Sequence, residues 1–265
     1  MNSLDQRILD GTRIDIDEAM SLAEGSDIHR LGFLAHAVRK RLHPEPQVTY
    51  VIDRNINYTD VCVSACKFCA FFKSPEDATG SVLSFTELSH KIEETKLLGG
   101  TQILLQGGLH PDKALSFYEE MLVFIKGHGI HVHGFSPPEI NHFSVLSGLS
   151  VREVLVRLQK AGLDSIPGGG AEILCDRVRK EISPRKCGTD EWLAVMEEAH
   201  GLGMRTTATM MFGHVETMAE RIEHLVRIRD LQDRTGGFTA FIPWPFQPDN
   251  TALAHIDKTS SFNYL

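Results

Sequence analysis

The sequence predicts an α/β protein in which parallel strands alternate with helices, and three features carry that prediction. First, one pattern recurs five times: a polar, helix-like run ends at glycine, a short apolar segment follows, and a polar or glycine-rich loop comes next. The copies are GGTQILLQGG from Gly99, GIHVHGFSP from Gly129, GLDSIPGGG from Gly162, GMRTTATMMFG from Gly203 and GGFTAFIPWP from Gly236. Glycine ends a helix in the left-handed conformation, and the apolar runs after it are too brief for buried helices. Second, these glycines are spaced roughly 30 to 40 residues apart, the length of one strand–helix unit. Third, the apolar runs are continuous rather than alternating, as in strands buried on both faces.

The elements follow in order. Residues 17–41 read as a helical stretch ended by His43-Pro44-Glu45-Pro46, because a residue before proline is kept out of the helical region. Residues 1–46 are therefore expected to form a small N-terminal helical cap, and residues 47–265 the α/β unit. VTYVIDRNI at 48–56 is the first strand and brings the total to six. Ser84 with Glu87 and Ser150 with Glu153 have the spacing of capping boxes, each opening an amphipathic run. Either a barrel or an open doubly wound sheet can be built from these parts. The sequence stops soon after the sixth strand, where a closed eight-stranded barrel needs two more, so a barrel is expected to be incomplete at its C-terminus.

A chain of 265 residues at 42% hydrophobic and 23% charged composition has the material for a substantial core. Its net charge of −8, without a stripe of Lys and Arg, argues against a nucleic-acid partner. The opening MNSLDQRILDG lacks a signal peptide's apolar core, and no window approaches the ~20 apolar residues of a membrane span. A cytoplasmic protein without a membrane partner is expected.

Three of the five cysteines fall within eight residues, a pattern of metal ligation rather than disulfides. Cys62-x-x-x-Cys66-x-x-Cys69 follows the first strand, at the end where α/β enzymes carry their chemistry. Thiolates favour iron–sulfur clusters or zinc. Three ligands leave one iron of a four-iron cube open to a chelating molecule. Zinc remains the alternative, with Cys175, Cys187 or a histidine as fourth ligand. Phe68, between two of the cysteines, is placed to stack on a flat heterocycle. Gln106, Gly107 and Gly108 after the second strand, and Gly168–Gly170 after the fourth, lie on the same rim, where a missing side chain lets backbone approach a ligand. Glu172 and Arg179 read equally as ligand contacts or as a solvated helix face. Among thirteen histidines, His133 and His214 are the pocket candidates, and Cys175 is expected to be buried in its helix.

Together, Cys-x-x-x-Cys-x-aromatic-Cys after a first strand, a glycine pair after the second and Gly213-x-x-Glu216 after the fifth closely resemble the radical S-adenosylmethionine (radical SAM) superfamily. NINYTDVCVSACKFCAFF, GGTQILLQGGLHP, HVHGFSPPEI and AEILCDRVRKEISPRK resemble its menaquinone and deazaflavin branch, and GGGAEIL with FIPWPFQP is similar to the dehypoxanthine futalosine cyclases of the futalosine route. The resemblance implies a parallel (β/α) TIM-type barrel and a [4Fe–4S] cluster on Cys62, Cys66 and Cys69, with S-adenosylmethionine on the fourth iron. It implies Phe68 and strand-five backbone near Gly213 against adenine, Gln106, Gly107 and Gly108 at the methionine end, Glu172 on a polar group and Arg179 on a carboxylate, with Arg177 as its alternative. Implied for dehypoxanthine futalosine are His110, His133, Ser136 and Asn250 as contacts, and an external electron donor such as flavodoxin or ferredoxin. An aminofutalosine synthase, an F0 synthase subunit, a shortened inactive member and a zinc-stabilised ligand-binding barrel are the other expectations.

Overall fold

The computed structural model describes residues 3–259, so the expected range to 265 runs past them. Six strands lie in sequence order in one sheet, and every neighbouring pair is parallel. They are β1 (Asp53–Asn57), β2 (Gln102–Gln106), β3 (His131–Gly134), β4 (Ser165–Ile166), β5 (Arg205–Phe212) and β6 (Phe238–Pro245). Order 1-2-3-4-5-6 winds in one direction, which selects the curled, incomplete barrel over a doubly wound sheet.

The connecting helices are α4 (Phe85–Leu97), α5 (Leu115–Gly127), α6 (Pro137–Ser147) and α7 (Val151–Ala161), then α8 (Asp176–Ile182), α9 (Thr189–Gly201) and α10 (Met218–Thr235). Both expected capping boxes form, on Ser84 and Ser150, and further boxes open α6 at Ser136 and α10 at Thr217. Gly99, Gly129, Gly162, Gly203 and Gly236 all have positive φ, as helix-ending glycines require. Fully buried Ile103, Leu105, Val132, Ile166 and Ala208 of the strands meet Ile92, Leu122, Leu158 and Val195 of the helices in the main core.

Two expected elements differ. The stretch 17–41 is two helices, α2 (Ile16–Gly25) and α3 (Ile28–Leu42), because Asp27 caps a new start after Ser26 turns extended; α1 (Ser3–Leu9) precedes them. Their small core of Ile8, Leu22 and Leu34 is separate, and Arg13 ion-pairs with Asp233 of α10. The first strand is shorter than expected, beginning at Asp53, with Val48 80% and Tyr50 86% exposed. β1 is an edge strand paired only with β2, which begins at Gln102 opposite Asp53, so apart from the Thr101 N–Ile52 O bond (3.1 Å) the residues before Asp53 have no ladder to join. Cys175 is not buried within a helix: it is the half-exposed N-cap of α8.

Buried histidines set the acid response. Burial drives His133 and His200 down to about 4 and His224 to about 3. An unfolded histidine takes up its proton near pH 6.5. Their stabilisation is complete above that and is lost as pH falls toward 4; Glu139, whose pKa is raised to about 7, works in the opposite sense between pH 7 and 4.5. With three groups against one, Tm measured by circular dichroism is expected to fall between pH 6.5 and 4, and by less in His224→Gln. Ser150→Ala should lower stability by about 1 kcal/mol through loss of the α7 cap.

Candidate active site

The C-terminal ends of β1, β2 and β3 surround a cavity of about 230 Å³. Cys62, Cys66, Phe68 and Cys69 line it from the loop after β1, and Gln106, Gly107 and Gly108 from the end of β2. The cysteine loop is fixed by backbone on three sides. Cys62 N donates to Lys73 O (2.9 Å), Val63 N to Leu109 O (3.0 Å) and Lys67 N to Ile182 O (2.8 Å), while Cys69 N closes a turn onto Cys66 O (3.1 Å). Within it Ala65 has a φ of +48°. The thiols themselves attract donors: Leu109 N lies 3.3 Å and Ser64 N 3.4 Å from Cys62 Sγ, and Ser64 Oγ 3.2 Å from Cys66 Sγ. Burial pushes the Cys66 thiol up, and the nearby Lys186 ammonium counters it.

Gly107 and Gly108 serve a purpose the sequence reading did not foresee. A Cβ on Gly107 would lie 2.5 Å from the Tyr58 ring, and one on Gly108 would lie 2.2 Å from Val61 O and 3.0 Å from Cys62 Cβ. The missing side chains therefore admit the protein's own cysteine loop against β2.

A residue missed at the sequence level holds this junction. Glu139, fully buried in the first turn of α6, lines the same cavity. Its Oε1 accepts from Tyr58 OH (2.7 Å) and Gly107 N (3.1 Å), and its Oε2 from Ser136 N (2.7 Å) and Ser136 Oγ (2.5 Å). One carboxylate thus ties the end of β1, the end of β2 and the start of α6. Burial raises its pKa to about 7 against the pull of these donors. The signal was the S-x-x-E spacing of Ser136-Pro137-Pro138-Glu139, the same box read elsewhere; Ser136 also lines the cavity.

On the far wall, Lys186 lines the cavity with its Nζ 4.9 Å from the centre of the Phe68 ring and 3.0 Å from Glu172 Oε1. Burial works against its charge, but Glu172 and then Cys66 hold its pKa above the ordinary lysine value. Glu172 is buried with a φ of +43°, and its Oε2 has no hydrogen-bond partner among the described residues. Sequence reasoning passed over Lys186 because a lysine in a charged run reads as solvated.

Arg179 faces the protein's own groups, its Nη1 3.7 Å from Glu172 Oε2. Its guanidinium donates to Gly170 O (3.0 Å), Ala171 O (2.7 Å) and Cys187 O (3.0 Å), a buried strut bracing the loop that carries Glu172. Arg177 is on the surface, paired with Glu220 and Glu181. Gly213, with a φ of +88°, donates to Glu216 Oε1 (2.6 Å) at the end of β5; the neighbouring His214 is buried, its Nδ1 3.2 Å from Glu216 Oε2. His133 is buried on β3 with Nδ1 2.7 Å from Ser165 Oγ, and His110 sits on the rim beside Asp112 N. Asn250 is in the turn after β6 with a φ of +60°. Gly213, His214, His133, His110 and Asn250 do not line the cavity, and neither do Glu172 and Arg179. Nor do Cys175, which faces Glu220 at 3.4 Å, and Cys187, 3.9 Å from Arg179. Among the described residues, no three His, Cys, Asp or Glu side chains converge on a single-ion position.

The family model for the Radical SAM superfamily matches residues 56–228, from the end of β1 into α10. The chain belongs to the radical SAM superfamily. It is 47% identical over 98% of its length to a cyclic dehypoxanthine futalosine synthase of Streptomyces coelicolor, covering 67% of that protein, and 42% identical to one of Halalkalibacterium halodurans, covering 71%. A 5-amino-6-(D-ribitylamino)uracil–L-tyrosine 4-hydroxyphenyl transferase of Methanosarcina barkeri is 50% identical over 78% of the chain and is covered to 54%. The chain thus spans about two thirds of the first two relatives and about half of the third. The radical SAM fold is also that of methylornithine synthase PylB (TM-score 0.70, 16% identity, 98% of this chain and 73% of that one) and of the hydrogenase maturase HydG (TM-score 0.75, 15% identity, 98% and 58%). Among the described residues no helix is long and apolar enough to cross a membrane.

Glu139→Ala would leave four donors facing an empty space, three of them buried, at an expected cost of at least about 3 kcal/mol. Gly108→Val should displace the cysteine loop. In both variants a lowered Tm and reduced iron uptake on anaerobic reconstitution are expected, whereas Asn250→Gly, which keeps the φ of +60° without strain, should match the parent in both.

Proposed function

We propose that this chain is a radical SAM cyclase that converts dehypoxanthine futalosine to its spirocyclic product. The observation that carries the reading is the meeting of three thiols, Phe68 and the Gln106–Gly108 backbone at one cavity, in a chain 47% identical over 98% of its length to a protein of that activity. The residues fit the implied groups. The donor set is all thiol, suited to an iron–sulfur cluster, and behind Lys186 of the cavity wall the buried Glu172 Oε2 has no hydrogen bond among the described residues, only the Arg179 guanidinium at 3.7 Å.

Cys62, Cys66 and Cys69 would hold a [4Fe–4S] cluster, with Gln106, Gly107 and Gly108 at the methionine end of S-adenosylmethionine, Phe68 and Gly213 near its adenine, and Glu172 on a polar group. Bound there, the pair supplies a carbon-centred radical able to remove one hydrogen atom from substrate. The chain's own residues do the rest. The backbone N–H groups of Ser64 and Leu109 point at Cys62 Sγ and favour the thiolate form that ligation requires. Lys186 sets a positive charge where anionic groups gather. Glu139 keeps the β2 rim in register with the cysteine loop. Ser136, His110, His133 and Asn250 remain the proposed polar partners of the substrate, with Ser136 alone of the four on the cavity wall. The substrate, short of one hydrogen atom at its ribose C4′, closes a carbon–carbon bond onto its benzoate ring; the electron then shed would return to the group on the three thiols, which supplied one at the start, and the proton would pass to solvent. Positioning and exclusion of water are the protein's share.

Reconstituted protein with a chemical reductant and S-adenosylmethionine should bind about four irons per chain and cyclise dehypoxanthine futalosine, with tyrosine plus 5-amino-6-ribitylaminouracil and an enolpyruvyl benzoate inactive in parallel assays. Cys66→Ala should lose both iron and turnover. Turnover of the tyrosine pair instead would assign the chain to the other relatives' reaction, and one tightly held zinc would reject the radical reading.

A further inference from the structure

A benzoate ring that accepts a new carbon–carbon bond must lose a proton, and the cavity offers few groups to receive it. Among the described residues lining it, those that titrate besides the three thiols are Asp60, Glu139 and Lys186. Glu172 keeps Lys186 charged in spite of its burial, so Lys186 is no base. Asp60 is half-buried, and its Oδ1 accepts from Ser81 N (2.6 Å). Glu139 alone is fully buried and coupled to a hydroxyl that also lines the cavity: Ser136 Oγ donates to its Oε2 at 2.5 Å.

This pair departs from an ordinary helix start. At Ser84, Ser150 and Thr217 the hydroxyl of the capping box accepts from the backbone N–H three residues on, at 3.2, 3.3 and 3.3 Å, and the glutamate is exposed or half-exposed. The Ser136 hydroxyl makes no such cap hydrogen bond. With its proton directed at Glu139, its oxygen keeps lone pairs for a donor in the cavity. The titratable groups packed on Glu139 from the end of β1 and from α5 are Tyr58 and Tyr118; burial pushes both phenols up and keeps them neutral. Burial likewise raises Glu139 to about 7, so it can take up a proton at neutral pH.

We infer that Ser136 and Glu139 are the first acceptor of the proton shed by the cyclised ring, Ser136 as relay and Glu139 as base, an inference that rests on the function proposed above. After ring closure the attacked ring carbon carries both its hydrogen and the new bond to C4′. That C–H bond breaks and its electron pair stays in the ring. Its proton passes to Ser136 Oγ while the Ser136 hydroxyl proton moves to Glu139 Oε2. The ring, then one electron in excess, regains its aromatic state by giving that electron to the oxidised iron–sulfur group. Neutral Glu139 stays in place, because Oε1 still accepts from Tyr58 OH and Gly107 N and the new O–H donates back to Ser136 Oγ. When product leaves, the proton returns through Ser136 to water.

The test compares the full chain with Ser136→Ala and Ser136→Thr, all reconstituted anaerobically and given dehypoxanthine futalosine with hydrogen or deuterium on the benzoate ring. In Ser136→Ala, spirocyclic product formed per 5′-deoxyadenosine should fall at least about tenfold at unchanged iron content. Ring deuterium, silent in the parent, should lower that yield further, and Ser136→Thr, which keeps the hydroxyl, should restore parent behaviour. In infrared difference spectra of the parent, a carboxyl stretch absent from Glu139→Gln should grow in as pH falls through about 7. Its shift in Ser136→Ala secures the assignment if Glu139→Gln does not fold. An unchanged product ratio without isotope effect in Ser136→Ala, or the appearance of both effects in Asp60→Asn instead, would overturn the relay. A parent that cleaves S-adenosylmethionine without cyclising would overturn the assigned function. The infrared titration would then still decide on Glu139, because a band that appears only in the ordinary carboxyl range would overturn it as the base.

Discussion

The buried carboxylate of Glu139 is the interaction on which the site depends. A single charged group with four hydrogen-bond donors is costly to bury and still costlier to leave unmatched, so its partners are held where they are. Those partners come from three successive units of the barrel. The Tyr58 hydroxyl fixes the last turn of chain before the cysteine loop, the Gly107 N–H fixes the β2 rim, and Ser136 fixes the entry into α6. With that junction set, Gly108 and Val61 can touch, and the loop of thiols closes over the end of the sheet.

A second layer of buried charge works on the opposite wall. Glu172, Lys186 and Arg179 form a line in which the arginine is satisfied by carbonyls and the lysine by Glu172 Oε1, while Glu172 Oε2 has only the Arg179 guanidinium at 3.7 Å and no hydrogen bond among the described residues. Burial of these groups would be a poor way to stabilise a fold. It makes sense as preorganised charge beside the cavity, where the Lys186 ammonium lies 4.9 Å from the centre of the Phe68 ring. The two walls therefore divide the work: one sets geometry, the other electrostatics.

Much of this was legible beforehand, for identifiable reasons. The strand–helix repeat was visible because each unit ends on a glycine that must turn left-handed, and all five named glycines do so. The cysteines were visible because one loop carries them at short spacing. The misses share a cause as well. Val48 and Tyr50 have strand-like character, yet β-structure needs a neighbouring ladder that only the sheet order supplies. Arg179 looked like a ligand residue because composition cannot tell a guanidinium aimed at a pocket from one aimed at backbone carbonyls. Glu139 and Lys186 went unnoticed because charged residues read by default as solvated.

By itself the sequence determined the parallel α/β class, the superfamily and the grouping of three cysteines in one loop, since each is written in local spacing: a helix stop, an apolar run, a cysteine interval. Only the tertiary structure decided what the remaining polar groups do. Which of Glu139, Glu172, Arg179, Lys186, His133 and Asn250 faces the cavity depends on packing between segments tens of residues apart, and burial, which turns an ordinary surface charge into a positioning group, exists only once those segments meet.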